Sequence, residues 1–243
     1  MSKRFIANTS DIIFKTEDKV LLQGEVYKHL KALRKEVKDV VQVNEYILEI
    51  EEIHKEYILA NITEFVNVSD NIKSCVTINV YQGYLKADKM EYLVQKSVEL
   101  GADNITGILT QNTVVKLDEK DRLKKQERLQ KIAIAAVEQC GRESMPHLHK
   151  IVDIKDVRLD EDIVLLCHEK SEVLLKTVIN NIQDNVKSIA VLIGPEGGFS
   201  DRDIEYIKQK NKNVLDISLG KRILRAETAC VYILSILGYE FGI

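Results

Sequence analysis

The first third of the chain alternates short hydrophobic runs with Asn, Asp and charged residues. The strand-like runs are 5–7, 40–43, 46–50 and 57–62. One segment, roughly 25–35, instead has apolar residues three to four positions apart, which is typical of an amphipathic helix. Several short strands with one helix predict a small barrel-like module. The sequence turns polar between 67 and 74, so we place the boundary of this module at residue 72.

From Cys75 onward, strand-like runs alternate with longer helical patterns. The predicted strands are 76–81, 105–109, 163–167, 189–193 and 214–218. The predicted helices are 88–101, 121–140 and 172–182, followed by two that begin after Ser200 and near Glu227. Strands that alternate with helices in this way form a mostly parallel sheet with helices on both faces. Residues 73–243 are therefore predicted to be an α/β domain.

Two of these strands lead directly into glycine-containing loops. The loops are Ile193-Gly-Pro-Glu-Gly-Gly-Phe-Ser200 and Leu219-Gly-Lys-Arg-Ile-Leu-Arg-Ala-Glu-Thr-Ala229. Glycine allows a sharp turn and a close approach to a ligand because it has no Cβ. Ser200 is predicted to cap the next helix together with Asp203. Since the carboxyl ends of parallel strands meet at one edge of a sheet, the two loops predict a small-molecule pocket.

The first loop differs from the common phosphate-binding loops. It has neither the lysine-containing triphosphate pattern nor the three-glycine dinucleotide pattern. Its Glu196 would repel a phosphate but would tolerate a cationic or neutral ligand. The alternative is a tight strand–helix turn that binds nothing.

Three charged residues, Arg222, Arg225 and Glu227, lie within six residues of one another in the second loop. Leu224 and Ala226 flank Arg225, which indicates a guanidinium held at a partly buried site. The alternatives are a surface ion pair and, for Glu227, a favourable interaction with the helix dipole.

Composition and charge narrow the class of protein. The 243 residues are 45% hydrophobic and 30% charged, with a net charge of −3, which is ordinary for a soluble protein. The four Cys are scattered without a C-x-x-C pair, as expected for a reducing compartment. No signal peptide or membrane-length apolar run is visible in the sequence, so a cytoplasmic location is expected.

Two pairs of reactive side chains favour structural roles. His147 and His149 have no third ligand nearby in the sequence, so no metal site is predicted. Cys167 and His168 are adjacent in a predicted strand, where they would face opposite sides. This placement argues against a nucleophile–base pair.

Basic residues concentrate in two segments. The first segment contains Lys28, Lys31, Arg34, Lys35 and Lys38. The second, 116–131, carries seven basic residues against four acidic ones. Solvated helix faces are the usual explanation of such runs. A basic β-module joined to an α/β domain also fits docking to a polyanion such as RNA.

The motifs together resemble a known family. Besides the two glycine loops, the matching segments are Arg4-Phe5, His29–Arg34, Lys86–Met90, Gln95–Gly101 and Glu138–Pro146. In order and spacing they resemble the ribosomal RNA small subunit methyltransferase E family, which belongs to the knotted SPOUT class. The resemblance covers nearly the whole chain. The two departures are Lys38, where the family usually has glycine, and Ala226, where it usually has threonine.

The resemblance implies a fold, a cofactor and a substrate. The implied fold is an N-terminal PUA-like β-barrel at 1–72 and a C-terminal SPOUT trefoil-knot domain at 73–243, in a homodimer. The implied cofactor is S-adenosylmethionine (SAM). The implied reaction is methylation of N3 of a specific uridine in small-subunit (16S) rRNA, in the assembled 30S particle. The alternatives are another RNA substrate or a non-catalytic RNA-binding assembly factor.

The resemblance also implies roles for individual residues. Arg225 is expected to stabilise negative charge that develops on the uracil, and Glu227 to accept the N3 proton or orient the base. The expected cofactor-binding residues are Leu166, Cys167, His168, Ile193, Gly194, Glu196, Gly197, Gly198, Leu219, Gly220, Ile223 and Leu224. The expected RNA-binding residues are Arg4, Lys31, Arg34, Lys86, Lys89 and Arg142.

Overall fold

The chain divides into two compact units. The computed structural model describes residues 4–66, 76–86, 88–183, 185–211 and 213–242, with only the backbone of Arg4. One unit comprises Met1–Asn71 and Val137–Glu143, and the other comprises Ile72–Ala136 and Ser144–Ile243. The polar segment 67–74 lies outside the described residues, so the boundary at residue 72 stays a prediction.

The first unit is built on a six-stranded sheet. Its strands are β1 (Arg4–Phe5), β2 (Ile12–Phe14), β3 (Lys19–Leu22), β4 (Val40–Val43), β5 (Tyr46–Ile53) and β6 (Ile58–Phe65), and its helix is α1 (Gly24–Ala32). The strand order is β1-β4-β5-β6-β3-β2, and every pairing is antiparallel except that of β1 with β4. The sequence did not predict β2 and β3, because Ile-Ile-Phe and Lys-Val-Leu-Leu do not alternate between apolar and polar residues. The sheet agrees with a β-rich module, whereas its closure into a PUA-like barrel stays a prediction.

Alternation of side chains gives this sheet a buried face. Val20, Val41, Leu48 and Ile50 are each at most 1% exposed, because successive strand residues point to opposite sides and one side is covered. Leu30 of α1 belongs to the same apolar cluster and is fully buried. The core of the first unit therefore lies between the sheet and α1.

Lys38, a departure from the family pattern, has an unfavourable backbone conformation. Its φ is +75°, in the left-handed region that residues other than glycine rarely adopt. Its N–H donates to the carbonyl oxygen of Ile50 at 2.8 Å, which holds the turn before β4 in this shape. Glycine, which the resemblance leads us to expect at this position, would adopt this backbone conformation without strain.

The second unit contains a seven-stranded sheet in which every described pairing is parallel. Its strands are β7 (Thr77–Gly83), β8 (Asn104–Leu109), β9 (His147–Leu148), β10 (Val152–Asp153), β11 (Ile163–Cys167), β12 (Ser188–Ile193) and β13 (Val214–Ile217). Its helices are α2 (Asp88–Glu99), α3 (Glu119–Cys140), whose last residues belong to the first unit, α4 (Leu175–Ile179), α5 (Asp201–Lys210) and α6 (Ala226–Phe241). The order is β10-β8-β7-β12-β11-β13, with β9 also pairing with β8.

The central strands of this sheet are uniformly apolar. In β12 the five residues from Ile189 to Ile193 are all at most 3% exposed, and Val164, Leu165 and Leu166 of β11 are fully buried. Consecutive buried residues mean that both faces of the sheet are covered, as in parallel sheets generally. The predicted α/β domain with a parallel sheet is thereby confirmed. Strands β9 and β10, which contain two residues each, were not predicted from the sequence.

Helix α5 begins with the capping box that the sequence predicts. The Ser200 hydroxyl accepts a hydrogen bond from the Asp203 N–H, and the Asp203 carboxylate accepts one from the Ser200 N–H at 2.9 Å. Asp203 also accepts a bond from the Gln111 N–H at 3.3 Å and is only 3% exposed. These bonds fix the end of the first glycine loop.

The strand ends that form the site are level with one another. Cys167, the last residue of β11, pairs with Ile193 of β12 and with Ile217 of β13. Ile193 in turn pairs with Gln82 of β7. The segments that follow these four strands therefore emerge at the same edge of the sheet.

Candidate functional site

A cleft of about 550 Å³ lies at this edge of the parallel sheet. Its walls are the segments after β11, β12 and β13 and the first turns of α2 and α6. A cleft of this size suits a small molecule or cofactor. Every predicted cofactor residue lines it except Leu166, which is fully buried in the sheet. Arg225 and Glu227 line it too, so the fold brings the predicted residues together while their roles stay predictions.

The first glycine loop folds back on itself. A Cβ added to Gly194 would lie 2.8 Å from the Gly198 carbonyl carbon, and one added to Gly197 would lie 3.1 Å from Asn112 Cβ. The Gly198 N–H donates to the Pro195 carbonyl at 2.9 Å, and the Asn112 amide donates to the Gly197 carbonyl at 3.0 Å. The glycines are therefore required by packing within the protein, in addition to any approach to a ligand.

The second glycine loop presents an apolar side chain to the cleft. Gly220 has a φ of +117°, which only glycine adopts readily. Ile223 follows with 84% of its surface exposed, an unusual value for isoleucine in a folded protein. The loop therefore offers apolar contact area to a ligand.

Gln82 and Gly83, which the sequence analysis missed, position the first loop. Gln82 is fully buried, and its side-chain amide donates to the carbonyl oxygens of Gly83 at 2.9 Å and Gly194 at 3.1 Å. A Cβ on Gly83 would lie 2.3 Å from the Pro195 nitrogen. The signal available in the sequence was a buried-strand pattern that ends in Gln-Gly. Its importance depends on contacts with residues more than 100 positions away.

Three charged side chains, Lys89, Glu196 and Glu227, meet in the wall of the cleft. The Lys89 ammonium lies 3.8 Å from Glu196 Oε1 and 3.6 Å from Glu227 Oε1. Glu196 Oε1 also accepts a hydrogen bond from the Lys86 N–H at 3.3 Å. Glu227 Oε2 is buried and has no hydrogen-bond partner among the described residues. We call these three residues the charge cluster.

Four cations of the cleft are exposed to solvent, as is Glu196 of the charge cluster, whereas Lys89 and Glu227 are half-buried. The four cations are Lys170, Lys221, Arg222 and Arg225. The prediction of a partly buried Arg225 guanidinium is wrong, because this residue is exposed at the N-cap position of α6. Neither arginine forms an ion pair with Glu227 within the described part of the chain. The surface ion pair considered from the sequence is therefore not formed.

The cysteines near the cleft are unreactive thiols. Burial, together with the neighbouring Cys230, raises the pKa of Cys167 above its usual range. Burial likewise raises the pKa of Cys230 to about 12, although a bond with the Ser97 hydroxyl at 3.5 Å opposes the shift. Both side chains stay protonated at neutral pH, and a thiol nucleophile is the thiolate. This agrees with the argument against a nucleophile–base pair formed by Cys167 and His168.

The predicted RNA-binding residues are distributed over both units. In the first unit Lys31 and Arg34 are exposed and Arg142 is half-buried, while the side chain of Arg4 lies outside the described part of the chain. In the second unit Lys86 is exposed and Lys89 belongs to the charge cluster. Their contact with RNA stays a prediction.

Metal-ligand groups and membrane-spanning helices are both absent from the described residues. Among residues 4–66, 76–86, 88–183, 185–211 and 213–242, no group of three or more His, Cys, Asp or Glu side chains could hold a metal ion. In the same part of the chain, none of the helices combines the length and apolar character needed to span a membrane.

Several known proteins are similar to this chain in sequence. Residues 72–238 match the family model of an RNA methyltransferase domain. A ribosomal RNA small subunit methyltransferase E from Bacillus subtilis is 31% identical over 199 residues, which cover 79% of this chain and 76% of that protein. A protein of the same name from Buchnera aphidicola subsp. Schizaphis graminum is 31% identical over 245 residues, covering 93% of this chain and 92% of its own.

A solved structure shares the fold. A protein from Legionella pneumophila, determined in complex with the bound cofactor SAM, is 29% identical and matches with a TM-score of 0.84. The match covers 98% of each chain.

Proposed function

We propose that this chain, which belongs to the ribosomal RNA small subunit methyltransferase E family, transfers a methyl group from SAM to N3 of a specific uridine in 16S rRNA. Membership of the family supplies the coarse activity, methylation of small-subunit rRNA. The uridine N3 atom and the assembled 30S particle as substrate are the finer parts of the proposal.

The residues of the cleft fit SAM as the cofactor. When bound, SAM supplies an electrophilic methyl group on a positively charged sulfur atom. Glu196 and Glu227 place two carboxylates in the wall beside the single ammonium group of Lys89, and Glu227 Oε2 has no hydrogen-bond partner among the described residues. The exposed Ile223 offers an apolar surface for the adenine ring. Both the charge and the apolar surface of the cleft therefore suit this molecule.

The separation of charge in the cleft is the observation that carries the proposal. Glu227 is half-buried, with 14% of its side chain exposed, whereas Arg222 and Arg225 are exposed at the surface. Negative charge in the less solvated part favours a cationic cofactor. Positive charge at the surface favours the phosphates of RNA. This arrangement fits an enzyme that joins a cationic methyl donor to a polyanionic acceptor.

Arg225 and Glu227 are the proposed catalytic residues. Methylation at N3 requires loss of the N3 proton, because the nitrogen lone pair is otherwise delocalised into the carbonyl groups. The Arg225 guanidinium, without an ion-pair partner in the described chain, can donate to the uracil oxygens on which negative charge develops. Glu227 can accept a proton or orient the base, since its Oε2 has no partner among the described residues.

The finer architecture belongs to the same proposal. We assign residues 1–72 to a PUA-like barrel that binds RNA and residues 73–243 to a SPOUT domain with a trefoil knot. The residues proposed to contact RNA are Arg4, Lys31, Arg34, Lys86, Lys89 and Arg142. A protein that acts on ribosomes is expected in the cytoplasm. Membership of the family supports these assignments, together with the mixed and parallel sheets of the two units.

A homodimer is the proposed functional form, with helix α6 in the interface. Tyr232 and Tyr239 of α6 are 44% and 88% exposed, and Tyr92 of α2, which packs against α6, is 45% exposed. The sequence of α6 contains only two charged residues, Glu227 and Glu240. Exposed aromatic residues on a weakly charged helix are typical of a protein–protein interface.

Charged substitutions at both tyrosines of α6 should therefore produce a monomer. The double variant Tyr232→Glu/Tyr239→Glu is expected to weaken the dimer at least about 100-fold, because buried tyrosines commonly dominate interface affinity. Sedimentation velocity over a range of concentrations measures the change. Leu123→Glu is the matched control, since Leu123 is 55% exposed on helix α3. A dimer of unchanged affinity in the double variant would exclude α6 from the interface.

Tritium transfer from labelled SAM tests the proposed activity. The acceptors are purified small subunits and protein-free rRNA, both from a strain that lacks this gene. We expect incorporation at N3 of a single uridine, mapped by digestion and mass spectrometry, and we expect more of it in the particles.

The other outcomes of this assay correspond to the alternative functions. SAM binding without incorporation into either acceptor would point to a different RNA substrate or to a non-catalytic assembly factor. Failure to bind SAM would contradict the enzyme proposal itself.

A further inference from the structure

The charge cluster joins three separate elements of the second unit. Lys89 lies in the first turn of α2, Glu196 in the loop after β12, and Glu227 in the first turn of α6. All three residues line the cleft. With two carboxylates and one ammonium group, the cluster has a formal charge of −1. A ligand in the cleft is therefore exposed to a net negative charge from this part of the wall.

The geometry of the cluster indicates a role other than stabilising the fold. Its two nitrogen–oxygen distances, 3.6 and 3.8 Å, are longer than hydrogen bonds. Ion pairs of this kind at a partly exposed site contribute little to stability. The buried Glu227 Oε2, unpartnered among the described residues, even carries a desolvation cost. Such a cost is commonly retained where the charge acts on a ligand.

The other charges of the cleft are better screened than Glu227 of the cluster. Lys170, Lys221, Arg222, Arg225 and Glu169 are all exposed, so water and salt weaken their fields over short distances. The Glu227 side chain, at 14% exposure, is in a less polarisable environment where charges interact more strongly. Glu196 is exposed as a residue, but its side chain is 25% exposed and is linked to Glu227 through Lys89. The cluster therefore has a disproportionate influence on the electrostatic potential that a bound ligand experiences.

We propose that the charge cluster makes the cleft selective for ligand charge. It favours the positively charged sulfonium cofactor over the neutral thioether product, S-adenosylhomocysteine (SAH), and Lys89 limits the size of that preference. The inference rests on the proposed function, because SAM and SAH are the ligands concerned. The two molecules differ by one methyl group and one positive charge, so their affinity ratio reports the potential in the cleft.

A preference for SAM over SAH helps the enzyme to exchange product for cofactor in each catalytic cycle. Loss of the methyl group removes the charge that the cluster attracts, so the product is held less tightly than the cofactor that replaces it. Without Lys89 the two carboxylates would bind the sulfonium more strongly and would also repel each other. The ammonium group of Lys89 thus sets an intermediate negative potential.

Affinity ratios in charge variants of the full-length protein test this inference. Isothermal titration calorimetry gives the Kd of SAM and of SAH, and their ratio defines the preference for SAM. We expect Glu196→Gln to lower that preference about tenfold and Lys89→Gln to raise it about tenfold, as unit charges several ångströms away in a protein site would do. The double variant Lys89→Gln/Glu196→Gln restores the charge of −1 and should return near the wild-type ratio.

Two controls separate charge from structure. Lys89→Arg keeps the charge and should keep the ratio, and Lys124→Gln removes an exposed positive charge on α3, outside the cleft lining. Glu196→Gln is nearly isosteric, and its amide oxygen can still accept the Lys86 N–H. If Lys89→Gln does not fold, the Glu196→Gln variant is therefore sufficient by itself to test the inference.

The possible results lead to different conclusions. Opposite shifts in the two single variants, cancelling in the double variant, would support the charge cluster as the selective element. Ratios that do not change, or that change in the same direction, would overturn the inference while leaving the proposed function intact. Wild-type protein that binds neither SAM nor SAH would overturn the proposed function, and the inference with it.

Discussion

The Arg225→Ala variant is expected to bind SAM with unchanged affinity and to lose methyl transfer by at least about 100-fold, the typical cost of removing a donor that stabilises developing negative charge. Arg225 is exposed at the start of α6, and its side chain does not cap that helix. Its removal should therefore leave the unfolding temperature unchanged. Tritium transfer to small subunits, calorimetric titration with SAM and thermal unfolding measure the three quantities.

Two comparisons make the Arg225 experiment specific. Arg158→Ala removes another exposed arginine, one that does not line the cleft, and should retain full transfer. Arg225→Lys keeps the positive charge but loses the planar, multiply donating guanidinium, so we expect partial activity. Full turnover in Arg225→Ala would show that another group stabilises the uracil oxygens.

The Gly83→Ala variant is expected to lose both stability and SAM affinity. Its Cβ would lie 2.3 Å from the backbone nitrogen of Pro195 and 2.7 Å from the carbonyl carbon of Gly194, which is closer than nonbonded atoms can approach. The loop after β12 must shift, and overpacking of this kind costs about 1–3 kcal/mol of unfolding free energy. Since that loop lines the cleft, we expect SAM affinity to fall at least about tenfold. Urea denaturation and calorimetric titration measure the two effects.

Gly238→Ala is the matched control for this substitution. It adds the same methyl group within α6, where the nearest atom would be the Leu100 carbonyl oxygen at an ordinary contact distance of 3.9 Å. Alanine is a better helix former than glycine, so the unfolding free energy should stay equal or rise by up to about 1 kcal/mol. Wild-type SAM affinity in Gly83→Ala would show that the Gly194–Pro195 backbone does not shape the cofactor site.

Much of the α/β domain could be predicted because its strands are buried on both faces. The run from Ile189 to Ile193 is continuous and apolar, and such a run followed by a glycine loop has few other interpretations. The same reasoning placed the two glycine loops at one edge. The level pairing of Cys167 with Ile193 and Ile217 confirms that placement.

Short strands and long-range contacts were not predictable in the same way. Strands β9 and β10 contain two residues each and have no period to detect. Gln82 matters because its amide reaches Gly194, 112 residues away in sequence. The exposure of Arg225 could not be inferred from its apolar neighbours, because at a helix start the flanking residues need not share a direction. The local sequence pattern indicates where helices and strands form, but it says little about which of them contact one another in the fold.

The glycines of the first loop illustrate a second limit of prediction from the sequence. The sequence predicts a close approach but does not identify the partner. The structure identifies it as the protein itself, since a Cβ on Gly194 would meet the Gly198 backbone and a Cβ on Gly197 would meet the Asn112 side chain. A glycine-rich loop therefore indicates crowding, and only the structure distinguishes a ligand from the chain itself.

The placement of exposed cations around the cleft has a kinetic consequence. RNA held by Lys170, Lys221, Arg222 and Arg225 would lie over the opening through which SAM and SAH exchange. SAM would then have to enter before the RNA, and SAH could leave only after the RNA has dissociated. The enzyme would follow an ordered mechanism and act distributively, with one methyl group transferred in each encounter with RNA.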